Sequence, residues 1–481
     1  MKHYLPITTI ILTLFGASSV TASHTNVDLQ SVITVDLNQP LGQLRAVPVS
    51  RGKEASPAIL AIYGQDAEID PYVGMFFFPE STLRMTLFDD RGNIQWTRDL
   101  ESGVVPGIWF CPVFTFDLNH DGLDDIYFVG NADPAHPMDF RKYQLERVDA
   151  LDGKTTGTWP WPNRYNAETM SHRYRNFILG GFVKDQPVLV TAQGTYGKMA
   201  LQAWNPSMTF RWETSFDPKT DGGPLGSHVC PVVDINHDGI DELLWGERCV
   251  ELDKGKELFR ADRGIWRGHS DIVVPVLDRD TGRWLIHTCR ETSPKQSPRI
   301  AMFNDQGIRM WGALDEGHID TGWAAHLGPE GQPVVLGVKV GRKIRDAQGE
   351  RRLWTTSHLY EAATGKPLNL PFDPYTSIPV DLDGDGIHEL VKGYFEGDGT
   401  VYDRTGKMLG NVGGLCAMCS KFTRLSGEQI LSFSKDGLLH IWADVNAKDS
   451  PVAEKRYRDR FYYTNQRMTA CGYNLFSLGG F

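Results

Sequence analysis

The sequence predicts an all-β fold, a β-propeller of seven or eight blades. Three observations predict it. One hairpin-like unit occurs eight times, successive copies lie about 40–60 residues apart, and no long helical pattern competes.

The unit is an apolar strand, a turn that sets Asp or Asn beside Gly, and a second strand that often carries Trp. This is the pattern of an antiparallel hairpin. It runs at 87–96, 148–153, more loosely at 201–212, and again at 250–255, 302–311, 360–365, 401–406 and 434–442. Apolar stretches with a short polar lead lie at 107–116, 171–182, 227–234, 268–277, 317–327, 375–381 and 418–422. The first strand of a propeller blade lines the central channel, so these are read as inner strands. The charged stretch 342–352 reads as an exposed hairpin, and the aromatic segment 456–481 as packing back on the disc to close it.

Of the 481 residues, 41% are hydrophobic and 23% charged, which argues against wholesale disorder. The balance of 49 basic and 60 acidic residues, 49 − 60 = −11, argues against a nucleic-acid partner, which would need a basic face. A local arginine cluster still permits an anionic substrate. Lys2 and His3 precede an apolar run at 5–15 that is too short to span a bilayer, and Val20 and Ala22 form a small-residue cleavage box. Residues 1–22 are therefore read as a signal peptide and 23–481 as a single propeller domain. The mature protein is expected to be secreted or periplasmic, without a membrane span, and monomeric. An exported compartment permits disulfides, yet seven cysteines leave at least one thiol unpaired or on a metal. Cys416 and Cys419 form a CxxC, which fits a local disulfide or two buried thiols at least as well as a zinc or redox pair.

Three segments match one oxygen-rich template, at 117–125, 234–242 and 381–389. Side-chain oxygens fall at positions 1, 3, 5 and 9, with Gly at 6. The sets are Asp117, Asn119, Asp121 and Asp125; Asp234, Asn236, Asp238 and Glu242; and Asp381, Asp383, Asp385 and Glu389. Calcium takes about six to eight oxygens, and glycine permits the turn that folds them inward. No Glu stands at position 12 and strands, not helices, flank the loops, so these are not EF-hands. The expected cofactor is calcium in a structural role.

Histidines recur at the starts of four successive inner strands, as His172, His228, His269 and His318, and would meet at one end of the channel. Two chemistries fit. One is a transition-metal site, zinc among its metals, which His287 and Cys289 would join from one strand face. The other is acid–base work near neutral pH.

The loops resemble the FG-GAP type of propeller repeat. A second resemblance covers roughly 170–480. It is carried by Ser171-His172-Arg173-Tyr174-Arg175-Asn176-Phe177, Gly194-Thr195-Tyr196-Gly197, Gly226-Ser227-His228, Gly268-His269-Ser270-Asp271, His318-Ile319-Asp320-Thr321-Gly322, and the run from Asn465 to Asn474. This order is similar to the propeller polysaccharide lyases, the rhamnogalacturonan lyases and, more distantly, the ulvan lyases. The resemblance implies cleavage of an acidic, uronate-containing polysaccharide by β-elimination, with bound calcium. Such chemistry must neutralise a carboxylate, remove the adjacent proton and protonate the leaving oxygen, which Arg, His and Tyr can do. His172, Arg175, Tyr196 and His228 are read as catalytic, and Arg173, Tyr174 and Trp109 as substrate-binding. Strand alternation at 172–175 would turn His172 and Tyr174 to one face and Arg173 and Arg175 to the other. The ulvan lyases carry histidines on an early blade. Here the stretch 107–112 has none, and His136 lies beyond the next strand. The alternative reading is a non-catalytic calcium-bound propeller that binds glycan or protein.

Overall fold

The computed structural model describes residues 27–481 apart from 53, 54, 56, 163–168, 292–297, 347 and 348, and excluding the side chains of 345–350. The expected signal peptide at 1–22 lies outside the described residues. Eight four-stranded antiparallel sheets stand round a common axis, which fixes the blade count at eight. The innermost strands are Gln43–Val49, Val113–Phe116, Asn176–Val183, Val232–Val233, Ser270–Asp278, His318–His326, Ser377–Val380 and Leu415–Ser420. We number the blades 1 to 8 in that order. Inner strands are buried because neighbouring blades cover both faces, whereas the outermost strands Ile94–Asp99 and Thr155–Pro160 alternate and keep a polar face in water.

Several inner strands are shorter than the sequence suggests. Residues 107–112 precede the strand as turns, and Met170–Tyr174 is a short helix capped by Thr169, so strand alternation does not apply to His172–Arg175. Blade 1 has no counterpart among the expected inner strands. The ring is closed by the N-terminal strand Leu29–Asp36, which pairs with Leu438–Asp444 of blade 8, and not by the C-terminal segment. That explains the eighth copy of the repeat. Seven copies join the third and fourth strands of a blade, while 434–442 joins the second and third because the fourth comes from the other end of the chain.

The recurring Trp and Gly have one physical cause. Trp96, Trp212 and Trp311 each donate their indole N–H to a carbonyl in the turn of the next blade, at Ala150 (2.9 Å), Leu252 (2.8 Å) and Ala362 (2.8 Å). The ring then lies on the turn glycine: a Cβ on Gly153, Gly255 or Gly365 would come within 2.8, 2.5 or 2.7 Å of it. These three outer hairpins thus lock to their neighbours through a contact only glycine permits.

The charged stretch 342–352 forms a hairpin, Lys343–Asp346 against Gly349–Arg352, inserted between the second and third strands of blade 6. All seven cysteines are buried free thiols, the Cys416–Cys419 pair included. No helix among the described residues is long and apolar enough to cross a membrane.

The C-terminal segment fills the channel. Helices Pro451–Tyr457 and Arg460–Gln466 cover one end, and the chain then rises to Tyr473 and returns to Phe481. It meets every part of the ring: Ala470 O accepts from Val113 N (3.1 Å), Thr469 donates to Ala46 O, Asn474 Oδ1 accepts from Cys230 N (2.9 Å), and Gly480 O accepts from Leu277 N (2.8 Å). Gln466 reaches Ser420 (3.0 Å). Asn465 completes the two-residue inner strand of blade 4, accepting from Val232 N (3.1 Å) and donating to Val232 O (2.7 Å). Replacing Asn465 by Ala orphans both buried backbone groups and should cost about 2–4 kcal/mol. The check is chemical denaturation against the parent protein, read as a lower midpoint at unchanged slope.

Candidate functional site

The inner strands all begin at one face of the disc, and the loops joining second to third strands return to that face. A cavity of about 670 Å³ opens there over the channel. Its floor is Tyr473, the apex of the C-terminal segment, and its walls come from blades 1, 3, 4, 5 and 6.

Tyr196 stands in the loop between Gln186–Gln193 and Met199–Trp204 of blade 3. Thr195 (φ 124°) and Tyr196 (φ 64°) both have left-handed backbone, which costs about 1–3 kcal/mol per residue. The conformation is held by Leu225 O, which accepts from Tyr196 N (2.7 Å) and from the Thr195 hydroxyl (2.9 Å). It aims the phenol at His228 Nε2 (3.0 Å) and stacks the ring on His269 at 4.1 Å. Burial, with Asp271 and Glu291 nearby, raises the Tyr196 phenol well above its ordinary range, so it stays protonated. Burial and the adjoining His269 and Arg175 push His228 well below its ordinary value. His172, on the helix Met170–Tyr174, also lines the cavity, packed so closely over Gly197 that a Cβ there would lie 2.9 Å from its Nδ1.

Carboxylates gather beside the imidazoles. Asp271 and Asp320 sit at irregularities in the inner strands of blades 5 and 6, between Ser270 and Ile272 and between Ile319 and Thr321. Such bulges re-aim a side chain. Asp271 lies 3.5 Å from both His228 Nε2 and His269 Nε2 and 3.2 Å from His318 Nε2, and Asp320 is also 3.2 Å from His318. Burial opposes the charge on His318, but hydrogen bonds to Asp271 and Asp320 outweigh it and lift the imidazolium to about 10. Burial and Asp271 raise Glu291 to about 6. Lys343 and Arg352, from the blade 6 hairpin, bring cations to the mouth, Arg352 in a 2.7 Å pair with Asp320.

Two donor sets share Asp271. His228, His269 and Asp271, and Asp271, Glu291 and His318, each offer ligand atoms within 4.8 Å of one another. Buried His269 Nε2 has no hydrogen-bond partner among the described residues. An imidazole nitrogen left bare beside a carboxylate fits a cation ligand. His287 and Cys289 do not join: His287 Nε2 is 2.9 Å from Leu336 O and Cys289 lies against it, between blades 5 and 6.

Arg175 also lines the cavity; it is only 5% exposed, paired with Asp70 (3.1 Å) and lying over Trp109 (4.7 Å) and Tyr196 (5.4 Å), so it supports the site from below. Trp109 is fully buried against His228 and Tyr473 and lines no part of the cavity. The Tyr174 hydroxyl donates to Met138 O (2.6 Å), and Arg173 turns away over Phe140 (4.9 Å). Asp70, Asp271, Glu291, Asp320, Lys343 and Arg352 were not singled out from the sequence. The repeated His-x-Asp of 269–271 and 318–320, each opening an inner strand, was the available signal.

The three oxygen-rich loops lie at the opposite face. In each, the first Asp accepts from the N–H of the position-6 glycine, at 2.8, 3.0 and 3.2 Å. Position 4 is left-handed in all three, as His120 (φ 61°), His237 (φ 60°) and Gly384 (φ 76°). Glu242 Oε1 and Asp381 Oδ1 are buried without a hydrogen-bond partner, and Asp381, Asp383 and Asp385 bring oxygens within 4.8 Å. Burial and the neighbouring Asp238 and Asp234 push Glu242 up to about 8, and burial pushes Asp125 up to about 6. Orphaned, mutually repelling oxygens of this kind suit a hard cation.

Replacing Arg175 by Ala strands the Asp70 carboxylate and removes the support under Trp109 and Tyr196. The expected loss is about 3 kcal/mol of folding stability, read from the shift in denaturation midpoint.

No protein-family model matches the chain. It is 26% identical over 272 residues to the rhamnogalacturonan exolyase YesX of Bacillus subtilis, covering 50% of this chain and 43% of that protein. It is 24% identical over 302 residues to the rhamnogalacturonan endolyase YesW of the same organism, covering 53% and 47%. The chain thus aligns with less than half the length of these curated relatives. Among solved structures it is similar to YesW (TM-score 0.72, 17% identity, 93% of this chain and 82% of that one) and to a Bacillus licheniformis rhamnogalacturonan lyase (TM-score 0.70, 18% identity, 92% and 80%). The eight-bladed propeller is the fold this chain shares with them.

Proposed function

We propose that the protein is an exported polysaccharide lyase that cleaves a uronate-containing polymer of the rhamnogalacturonan type by β-elimination in the cavity over the channel. The observation that carries this reading is the gathering of a protonated phenol, a histidine and two cations around one open cavity. The relatedness to rhamnogalacturonan lyases supports the substrate class.

In this reading Lys343 and Arg352 draw the uronate carboxylate to the mouth. His172 takes the proton from the carbon beside it, that electron pair becomes the new double bond, and the bond to the leaving oxygen breaks. The Tyr196 phenol gives its proton to that oxygen, and its bond to His228 holds it in place. A divalent cation around Asp271, with His228 and His269 or with Glu291 and His318, would act as a Lewis acid for the carboxylate. Calcium at the three loops of the far face would be structural.

On a panel of rhamnogalacturonan and other uronate polymers, the protein should release unsaturated uronate ends, seen as rising ultraviolet absorbance. His172→Ala and Tyr196→Phe should each lower kcat by about 10²-fold or more while polymer binding persists. No absorbance from any polymer, or full activity in both variants, contradicts the reading. A chelator should lower the thermal midpoint, and added calcium should restore it more effectively than magnesium.

A further inference from the structure

Beside the cavity lies a second, open groove of about 710 Å³ that the proposed chemistry does not use. Two elements separate and join the two. One is the helix Met170–Tyr174, which turns His172 into the cavity and Arg173 into the groove. The other is the blade 1 loop at 65–83, whose Tyr72, Val73 and Met75 line the cavity and whose Phe78 lines the groove.

That loop presents large apolar side chains to water: Tyr72 is 57% exposed, Val73 78%, Phe77 39% and Phe78 69%. Exposed apolar side chains clustered at the rim of a cleft mark a binding surface. The loop is also held in shape. Asp66 accepts from Ser81 N (2.8 Å) and Glu80 N (3.1 Å) at its base, and Tyr72 O accepts from Met75 N and Phe76 N (both 2.8 Å) at its tip. Phe76 packs edge-on to Phe78 (5.2 Å) and against buried Phe110 (6.1 Å), so Phe78 stands on a fixed base. Across the groove are Phe140, with the Arg173 guanidinium 4.9 Å over its ring, and exposed Arg141, bonded through two nitrogens to Asp139 (2.7 and 2.8 Å). His136, on the same wall, is paired with Asp133 (2.8 Å) and faces this groove, not the cavity.

We propose that this groove is a distal subsite that holds sugar residues of the same polymer beyond those in the cavity. The inference rests on the cavity being a polysaccharide site. Pyranose rings have apolar C–H faces that pack on aromatic rings, and Phe78, 69% exposed on its fixed base, offers such a ring. Arg141 and Arg173 supply positive charge for uronate carboxylates in a chain whose net charge is −11. The occupant is a continuous polymer because the helix Met170–Tyr174 and the loop at 65–83 border both the groove and the cavity.

The test compares the parent protein with Phe78→Ala/Arg141→Ala, whose altered side chains are exposed and leave folding intact. Cleavage is followed on a long rhamnogalacturonan polymer and on the shortest oligosaccharide the parent cleaves, and retardation is measured in gels containing the polymer. The expected result is an approximately tenfold higher KM and weaker retardation on the polymer, with kcat unchanged, and unchanged kinetics on the short oligosaccharide. Equal loss on both substrates, or no change on the polymer, overturns the subsite while the cavity reading stands. A parent protein that neither retards on nor cleaves the polymer overturns both.

Discussion

The C-terminal segment is the piece on which the ring, the loops and the cavity all depend. Eight blades leave a channel, and the inner strands facing it need partners; that of blade 4 is only two residues long. The segment supplies those partners through Asn465 and Asn474. It is anchored in turn by the oxygen-rich loops. Position 8 of each loop holds one of its arginines: Asp124 pairs with Arg467 (3.0 Å), Asp241 with Arg460 (3.0 Å), and His388 with Arg456 (3.1 Å). The apex of the same segment, Tyr473, is the cavity floor and packs 5.2 Å from His228. One chain thus connects the acidic face of the disc to the cavity face through its axis.

The two faces divide the work. The far face gathers carboxylates on short turns and holds the plug. The near face carries the irregular geometry: left-handed Thr195 and Tyr196, and bulges at Asp271 and Asp320. A rigid inner barrel can hold such strain because its strands are covered on both sides. The cations at the cavity mouth come from an insertion in blade 6, so the scaffold can stay fixed while the mouth is set by loops.

Much of the fold was legible because its repeat has a local cause. A glycine turn with a nearby Trp marks several outer hairpins, since Trp96, Trp212 and Trp311 each lie on the glycine turn of the next blade. The inner strand of blade 1 had no counterpart among the expected inner strands, and the closing strand Leu29–Asp36 was not legible because closure pairs residues about four hundred positions apart and leaves no local mark. In the site, the histidines were legible from their place before inner strands. Their carboxylate partners were not, because a bulge breaks the alternation on which a facing argument relies. Trp109 has the residue type of a ligand contact, and burial keeps it out of the cavity lining.

The proposed lyase binds and cleaves a uronate polymer in the cavity over the channel. The most direct measurement is a crystal structure of the Tyr196→Phe protein with a bound rhamnogalacturonan oligosaccharide. The account predicts a uronate carboxylate at the mouth near Lys343 and Arg352, with the adjacent carbon facing His172. An oligosaccharide bound only on the outer blades or at the far face would contradict it.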